Sequence, residues 1–453
     1  MREVIIQVFL LVAIIIGTVG DPVFADDVTV QQDKNTKPAV ENESGIKLES
    51  NGKIIPVQDL KGTVSKEEPK EKETPFKGWI NGDNATGDWN GLRTKLEEKG
   101  ITLGAEYIND NFLKMNGGLN NKHPLKYQGL INTYLELDTE KMGLWKGGKV
   151  FTNFANLHGN GLTDNYVGDL QVISNIDAKP YGQLYEYWYQ QSILNDKLKI
   201  KIGKQDANLD FCSLESAGEY VNSSFGLIPN LPIPAYPSPG LGISAIISPN
   251  KYVDLKYGFF DGGSQISTNG FKTAFDGKDG TVHLAEINLK PEIKGHQGNY
   301  IAGYWFHTGD ADEITDSENA RTFKHNQGFY TGFDQRIFNE KEDKEQGLNI
   351  IGQFGWAPSD RNEIARYYGA GLRYTGLIPK RSKDITGIGT AIADVSNRYK
   401  SIDGRTQETA FEVFHKIQLT NWLALQPGMQ YIFNPGGNGR NAFAFGVRSI
   451  ISF

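Results

Sequence analysis

One cysteine, Cys212, is all that a chain of 453 residues carries, so neither an intramolecular disulfide nor a cysteine-based zinc site can form. A basic surplus is missing too. The formal net charge is −7, no cluster of Lys and Arg stands out, and nothing points to nucleic acid. The 7 histidines include no pair at zinc-ligand spacing, and neither a glycine-rich phosphate loop nor a nucleophile elbow occurs. Adjacent carboxylates such as Glu67-Glu68 and Glu97-Glu98 do not converge on one substrate. The sequence therefore offers no cofactor, no metal centre and no catalytic constellation. Mean hydropathy is −0.44. That excludes a helical membrane protein but not a barrel, in which only alternate residues meet lipid.

What is present is glycine, at 52 residues, and aromatic side chains, at 11%. This profile suits many strands joined by turns. Met1–Ala25 reads as a secretory signal, with Arg2, an apolar run over Val4–Val19 and small residues at Val23-Phe24-Ala25. Residues 26–75 hold no aromatic residue but 8 Lys and 11 Asp or Glu, the composition of a flexible, charged periplasmic arm. Residues 76–453 are expected to form the barrel domain. It opens on a short helix near Leu92 and Leu96, capped by Asp88 and ended by Gly100. Arg93 is expected to pair with a carboxylate beside that helix.

Strands follow. In residues 441–453, Phe443, Phe445, Val447, Ile451 and Phe453 share one face, broken by Ser449, while Ala444, Gly446, Arg448, Ile450 and Ser452 share the other. Similar alternation sets Leu198, Ile200 and Ile202 against Lys199 and Lys201, and Val253, Leu255 and Tyr257 against Asp254 and Lys256. Tyr185, Tyr187 and Tyr189 oppose Leu184, Glu186, Trp188 and Gln190; Ile131, Thr133, Leu135 and Leu137 oppose Asn132, Tyr134, Glu136 and Asp138. Aromatic residues on the apolar faces favour a closed barrel that turns those faces to lipid. The last strand should close on the first, near Ile101–Tyr107. Phe211–Gly240 carries five prolines, too many for a strand interior, and is expected to fold inward and narrow the pore.

Several motifs, in order, resemble the carbohydrate-selective porin (OprB) family of bacterial outer membranes. They include Gly87-Asp88-Trp89-Asn90-Gly91-Leu92-Arg93, Gly168-Asp169-Leu170-Gln171, Leu184-Tyr185-Glu186-Tyr187-Trp188 and Ile202-Gly203-Lys204-Gln205-Asp206. Ser174-Asn175-Ile176, Asn222-Ser223-Ser224-Phe225-Gly226, Tyr236-Pro237-Ser238-Pro239-Gly240, Gln426-Pro427-Gly428-Met429-Gln430-Tyr431 and Asn434-Pro435-Gly436-Gly437 complete the set, with Met429 where the resemblance suggests an acidic residue. The resemblance implies an all-β, 16-stranded antiparallel transmembrane barrel in the outer membrane. It implies passive diffusion of mono- or small oligosaccharides into the periplasm, in a monomer or homotrimer, with Phe453 similar to the aromatic signal read by the barrel assembly machinery. Glu186, Trp188, Lys199, Lys201, Asp254, Lys256, Asp334, Arg336, Arg373, Glu412, Lys416 and Arg448 are the expected pore-lining residues, and Asp206 and Lys204 are expected to fix a loop. A general diffusion porin and a secreted carbohydrate-active β-protein are the alternatives.

Overall fold

The computed structural model describes residues 75–453, apart from 264, 265, 267–273, 276, 278 and 342. The signal expected over 1–25 and all but the last residue of the arm expected over 26–75 lie outside the described residues. Two short helices come first, α1 (Pro75–Asn81) and α2 (Leu92–Glu98). Asp88 accepts from the Thr94 amide at 2.9 Å, and Gly100 ends α2 at φ +80°. Arg93 differs from expectation. Its guanidinium donates to the Phe453 main-chain oxygen at 3.2 Å and to Thr86 Oγ1 at 3.1 Å, at the end of the barrel seam.

Sixteen long strands then run in chain order: β1 (Ile101–Asn116), β2 (Leu125–Asp138), β3 (Gly148–Gly159), β4 (Tyr181–Ile193), β5 (Leu198–Gln205), β6 (Gly240–Asn250), β7 (Val253–Asp261) and β8 (Thr281–Leu289). The second half is β9 (His296–His307), β10 (Asn326–Asn339), β11 (Gly347–Trp356), β12 (Ile364–Thr375), β13 (Ile385–Val395), β14 (Gln407–Thr420), β15 (Leu423–Phe433) and β16 (Ala442–Ser452). Consecutive strands pair antiparallel. β16 returns to β1 with Ser452 opposite Glu106 and Arg448 opposite Asp110, so no strand edge is left for lipid to desolvate. No helix among the described residues is long and apolar enough to cross a membrane.

Alternation sorts the two faces. Leu103, Ile131, Phe154, Ile202, Leu255, Phe329, Leu372, Phe411 and Phe445 are exposed on the outer face, whereas Arg448, Glu412, Lys201 and Asp334 are buried inside. Met429 lies on the outer face opposite Phe445, where an acidic side chain would point into lipid. One face assignment fails. A β-bulge between Asn153 and Phe154 sets Leu184 opposite Phe154, on the lipid side, while Tyr185 turns inward and is buried with Ile176 and Leu157. One rim carries connections of two to nine residues, such as 194–197 and 421–422; the other carries the long loops, including 160–180 and 206–239. In outer-membrane barrels the short-turn rim faces the periplasm.

The proline-rich loop 206–239 folds into the lumen. Phe211, Leu214, Tyr220, Phe225 and Ile228 pack against wall residues Phe260, Leu284, Trp305, Tyr330, Ile351, Tyr367 and Phe414. Tyr220 reaches the wall because residues 371 and 389 are glycines: a Cβ there would stand 2.4 and 2.7 Å from its phenol. Its hydroxyl lies 2.9 and 2.8 Å from the carbonyl oxygens of Leu372 and Ile388. The loop thus fills the β7–β14 side of the lumen and leaves the β1–β4 side open.

Candidate functional site

Inward-facing carboxylates on the wall meet the loop's main chain. Glu286 accepts from the Cys212 amide at 2.7 Å, and Asp334 from Ser216 at 2.8 Å. Glu412 accepts from both Val221 and Asn222 at 2.8 Å, and Glu186 from Asp206 at 3.0 Å. A loop with its own secondary structure would satisfy these amides internally; this one cannot, so the wall supplies the acceptors. Cations on the wall complete the seat by holding the loop's carboxylates. Lys201 bonds Asp210 at 2.6 Å, Lys416 bonds Glu219 at 2.9 Å, and Arg373 reaches Glu215 at 3.0 Å and Glu219 at 3.8 Å. Lys256 joins Glu286 at 2.7 Å to the Asp210 carbonyl at 2.6 Å.

The remaining expected pore residues take other places. Arg448 makes a two-pronged contact with Asp110 at 2.7 and 2.8 Å and donates to Asn175 Oδ1 at 2.7 Å, which ties loop 160–180 to the β1–β16 seam. Asp254 pairs with Lys290 at 2.5 Å, and Arg336 donates to Asn349 at 2.9 Å and to the Glu345 carbonyl, both near the periplasmic rim. Trp188 stands on the inner wall 4.9 Å from the Phe151 ring. Lys199 is half-buried on the same face of β5 as Lys201. Lys204 donates to the Leu184 carbonyl at 2.8 Å, and Asp206 accepts from the Tyr185 hydroxyl at 2.5 Å and the Asn208 amide at 2.9 Å. Burial raises the Asp206 carboxyl above the usual carboxylate range, against the opposing pull of those donors.

What remains open is a passage of about 440 Å³ between loop and wall. Of the expected set, Glu186, Asp334 and Arg448 border it. So do Glu106, Asn132, Tyr134, Phe151 and Asn153 from β1–β3, Asn299 and Asn349 from the far wall, and Asn208, Glu215 and Tyr236 from the loop. Glu106, Phe151 and Asn153 carried no separate sequence signal. Asn132 and Tyr134 did, as the polar side of an alternating strand. The lining offers amides, carboxylates and aromatic rings. Among the described residues no group of three or more His, Cys, Asp or Glu could hold a metal ion. These groups exchange hydrogen bonds with hydroxyls.

A closed sixteen-stranded barrel with an apolar exterior and an interior passage narrowed from within by its own loop is an outer-membrane channel. Residues 122–453 match the family model described as carbohydrate-selective porin, OprB family, and the chain belongs to that family. Porin B of Pseudomonas aeruginosa is 26% identical over 412 residues, covering 80% of this chain and 89% of the relative. The putative porin QuiX of Acinetobacter baylyi is 22% identical, over 78% and 88%. The high-pH structure of Pseudomonas putida OprB superposes with a TM-score of 0.76 at 23% identity, covering 83% of this chain and 99% of that one, and shares its fold.

Proposed function

We propose that this outer-membrane channel lets small sugars diffuse passively into the periplasm and selects them in the passage beside loop 206–239. The observation that supports the reading is the loop's seat. Carboxylates and cations on one side of the wall are spent on holding the loop, which leaves a narrow lane lined by amides, carboxylates and rings. Such groups replace part of a sugar's hydration without holding it tightly, and conduction needs release as well as entry. Family membership and the porin relatives support a channel rather than an enzyme. Of the expected set, Glu186, Asp334 and Arg448 border the passage, and in this reading sugar meets them there, Glu186 and Asp334 while also holding loop amides; Glu412, Lys416, Lys201, Lys256 and Arg373 act through the loop. A general diffusion porin is the second reading, and it calls for a wider lumen than this loop leaves.

Liposome swelling tests the reading. Vesicles carrying the folded protein should admit small sugars faster than amino acids of similar size. Equal rates for both would leave only the general porin, and no swelling in either would sink the channel itself.

A further inference from the structure

The open wall of β1–β4 carries two parallel rows. On the periplasmic side stand Gly104, Tyr134, Phe151 and Trp188. Two residues toward the outside on each strand stand Glu106, Asn132, Asn153 and Glu186. Cross-strand pairing sets Gly104 opposite Tyr134, Glu106 opposite Asn132, Phe151 opposite Trp188 and Asn153 opposite Glu186; between β2 and β3 Tyr134 pairs with Asn153, so both rows step diagonally across that seam. The Asn153 amide donates to Asn132 Oδ1 at 3.2 Å and joins the two halves of the polar row.

The rings overlap in a stack beside the passage, which Tyr134 and Phe151 border and Trp188 does not. A Cβ at residue 104 would stand 2.3 Å from the Tyr134 phenolic oxygen, so the phenol rests across a glycine and turns its other face to the passage. Phe151 follows at 6.1 Å with planes inclined by 25°, and Trp188 at a further 4.9 Å and 22°. The Lys201 ammonium, 4.9 Å over the indole, ends the row. Asn153 Oδ1 and, from the far wall, Asn299 Oδ1 are buried acceptors with no donor among the described residues. A hydroxyl passing between them supplies one.

We propose that these two rows form a subsite for uncharged pyranose rings, an inference that rests on the sugar-channel reading above. A pyranose has a flat C–H face and a rim of hydroxyls. Tyr134 and Phe151, with Trp188 stacked behind Phe151, take the face and the polar row takes the rim, so both requirements are met in one orientation. An open-chain polyol has the hydroxyls without the face. An anionic sugar meets Glu106 and Glu186 at the polar row and is disfavoured there.

The test is ion conductance of the full-length protein in planar bilayers, titrated with D-glucose and, separately, with D-glucitol. Each channel is normalised to its own sugar-free conductance, and folding is checked first by the heat-dependent gel shift of barrels. Glucose should lower the wild-type current saturably, and glucitol should not at matched concentration. Phe151→Leu and Tyr134→Leu should each raise the half-saturation for glucose by up to about tenfold. Phe154→Leu, on the lipid side of the same strand, should keep the wild-type value. If both ring substitutions leave the half-saturation unchanged, or glucitol acts like glucose, the subsite is overturned while sugar passage stands. If wild-type vesicles admit no glucose, the channel reading falls and takes the subsite with it.

Discussion

At the scale of single residues, charge inside this barrel is mostly committed to structure. Asp169 in loop 160–180 is the clearest case outside the strands. It is buried beside Glu408, whose carboxylate accepts from the Leu170 amide at 2.7 Å and the Gln171 amide at 2.9 Å. Burial first and the Glu408 charge second raise the Asp169 carboxyl above its ordinary value of 3.8. Its folded-state pKa is therefore higher than its unfolded one, so the neutral form favours folding. That contribution is complete at acid pH and is lost as pH climbs through the raised value. The temperature at which the folded barrel shifts mobility on gels should fall between about pH 4 and about pH 8, the span from the ordinary to the raised value, and Asp169→Asn, with no proton to lose, should flatten that slope. An unaltered slope in the variant would assign the pH dependence elsewhere.

At the scale of elements, the loop and the wall are one machine part. Glu412 holds two consecutive amides of loop 206–239, and hydrogen bonds to a charged group contribute about 1.5–3 kcal/mol each. Glu412→Ala should loosen the loop's seat, raise open-channel conductance and reduce the preference for sugars over amino acids. Glu412→Gln, which retains an acceptor, should fall between. A variant with wild-type conductance and selectivity would show that the apolar packing of Tyr220 and Phe225 suffices. The strands themselves were legible, because a period of two with unlike faces leaves few alternatives. The inward path of the loop was legible from its prolines and aromatics. Its bonding to the wall was not: a lumen-facing Glu412 looks the same in sequence whether it meets water or a loop amide 190 positions away. The bulge that turned Tyr185 inward was hidden for a similar reason, since register belongs to a pair of strands and not to either one. The same applies to the rows on β1–β4, whose members are neighbours only through cross-strand pairing.

At the scale of the whole molecule, closure is the event on which everything depends. The Phe453 amide donates to the Ala105 carbonyl at 2.8 Å, and its own main-chain oxygen accepts from Arg93. Removing Phe453 should lower the amount of barrel that reaches the outer membrane, while the barrels that do assemble pass sugar at the normal rate per channel. Normal assembly with lost flux would reverse that assignment. One last consequence comes from Cys212, whose thiol is fully buried where the loop meets Glu286, in a chain with no second cysteine. A maleimide can reach it only when the loop has left the wall. The rate of alkylation in intact membranes is then a clock for loop opening, read at one known position without engineering a probe.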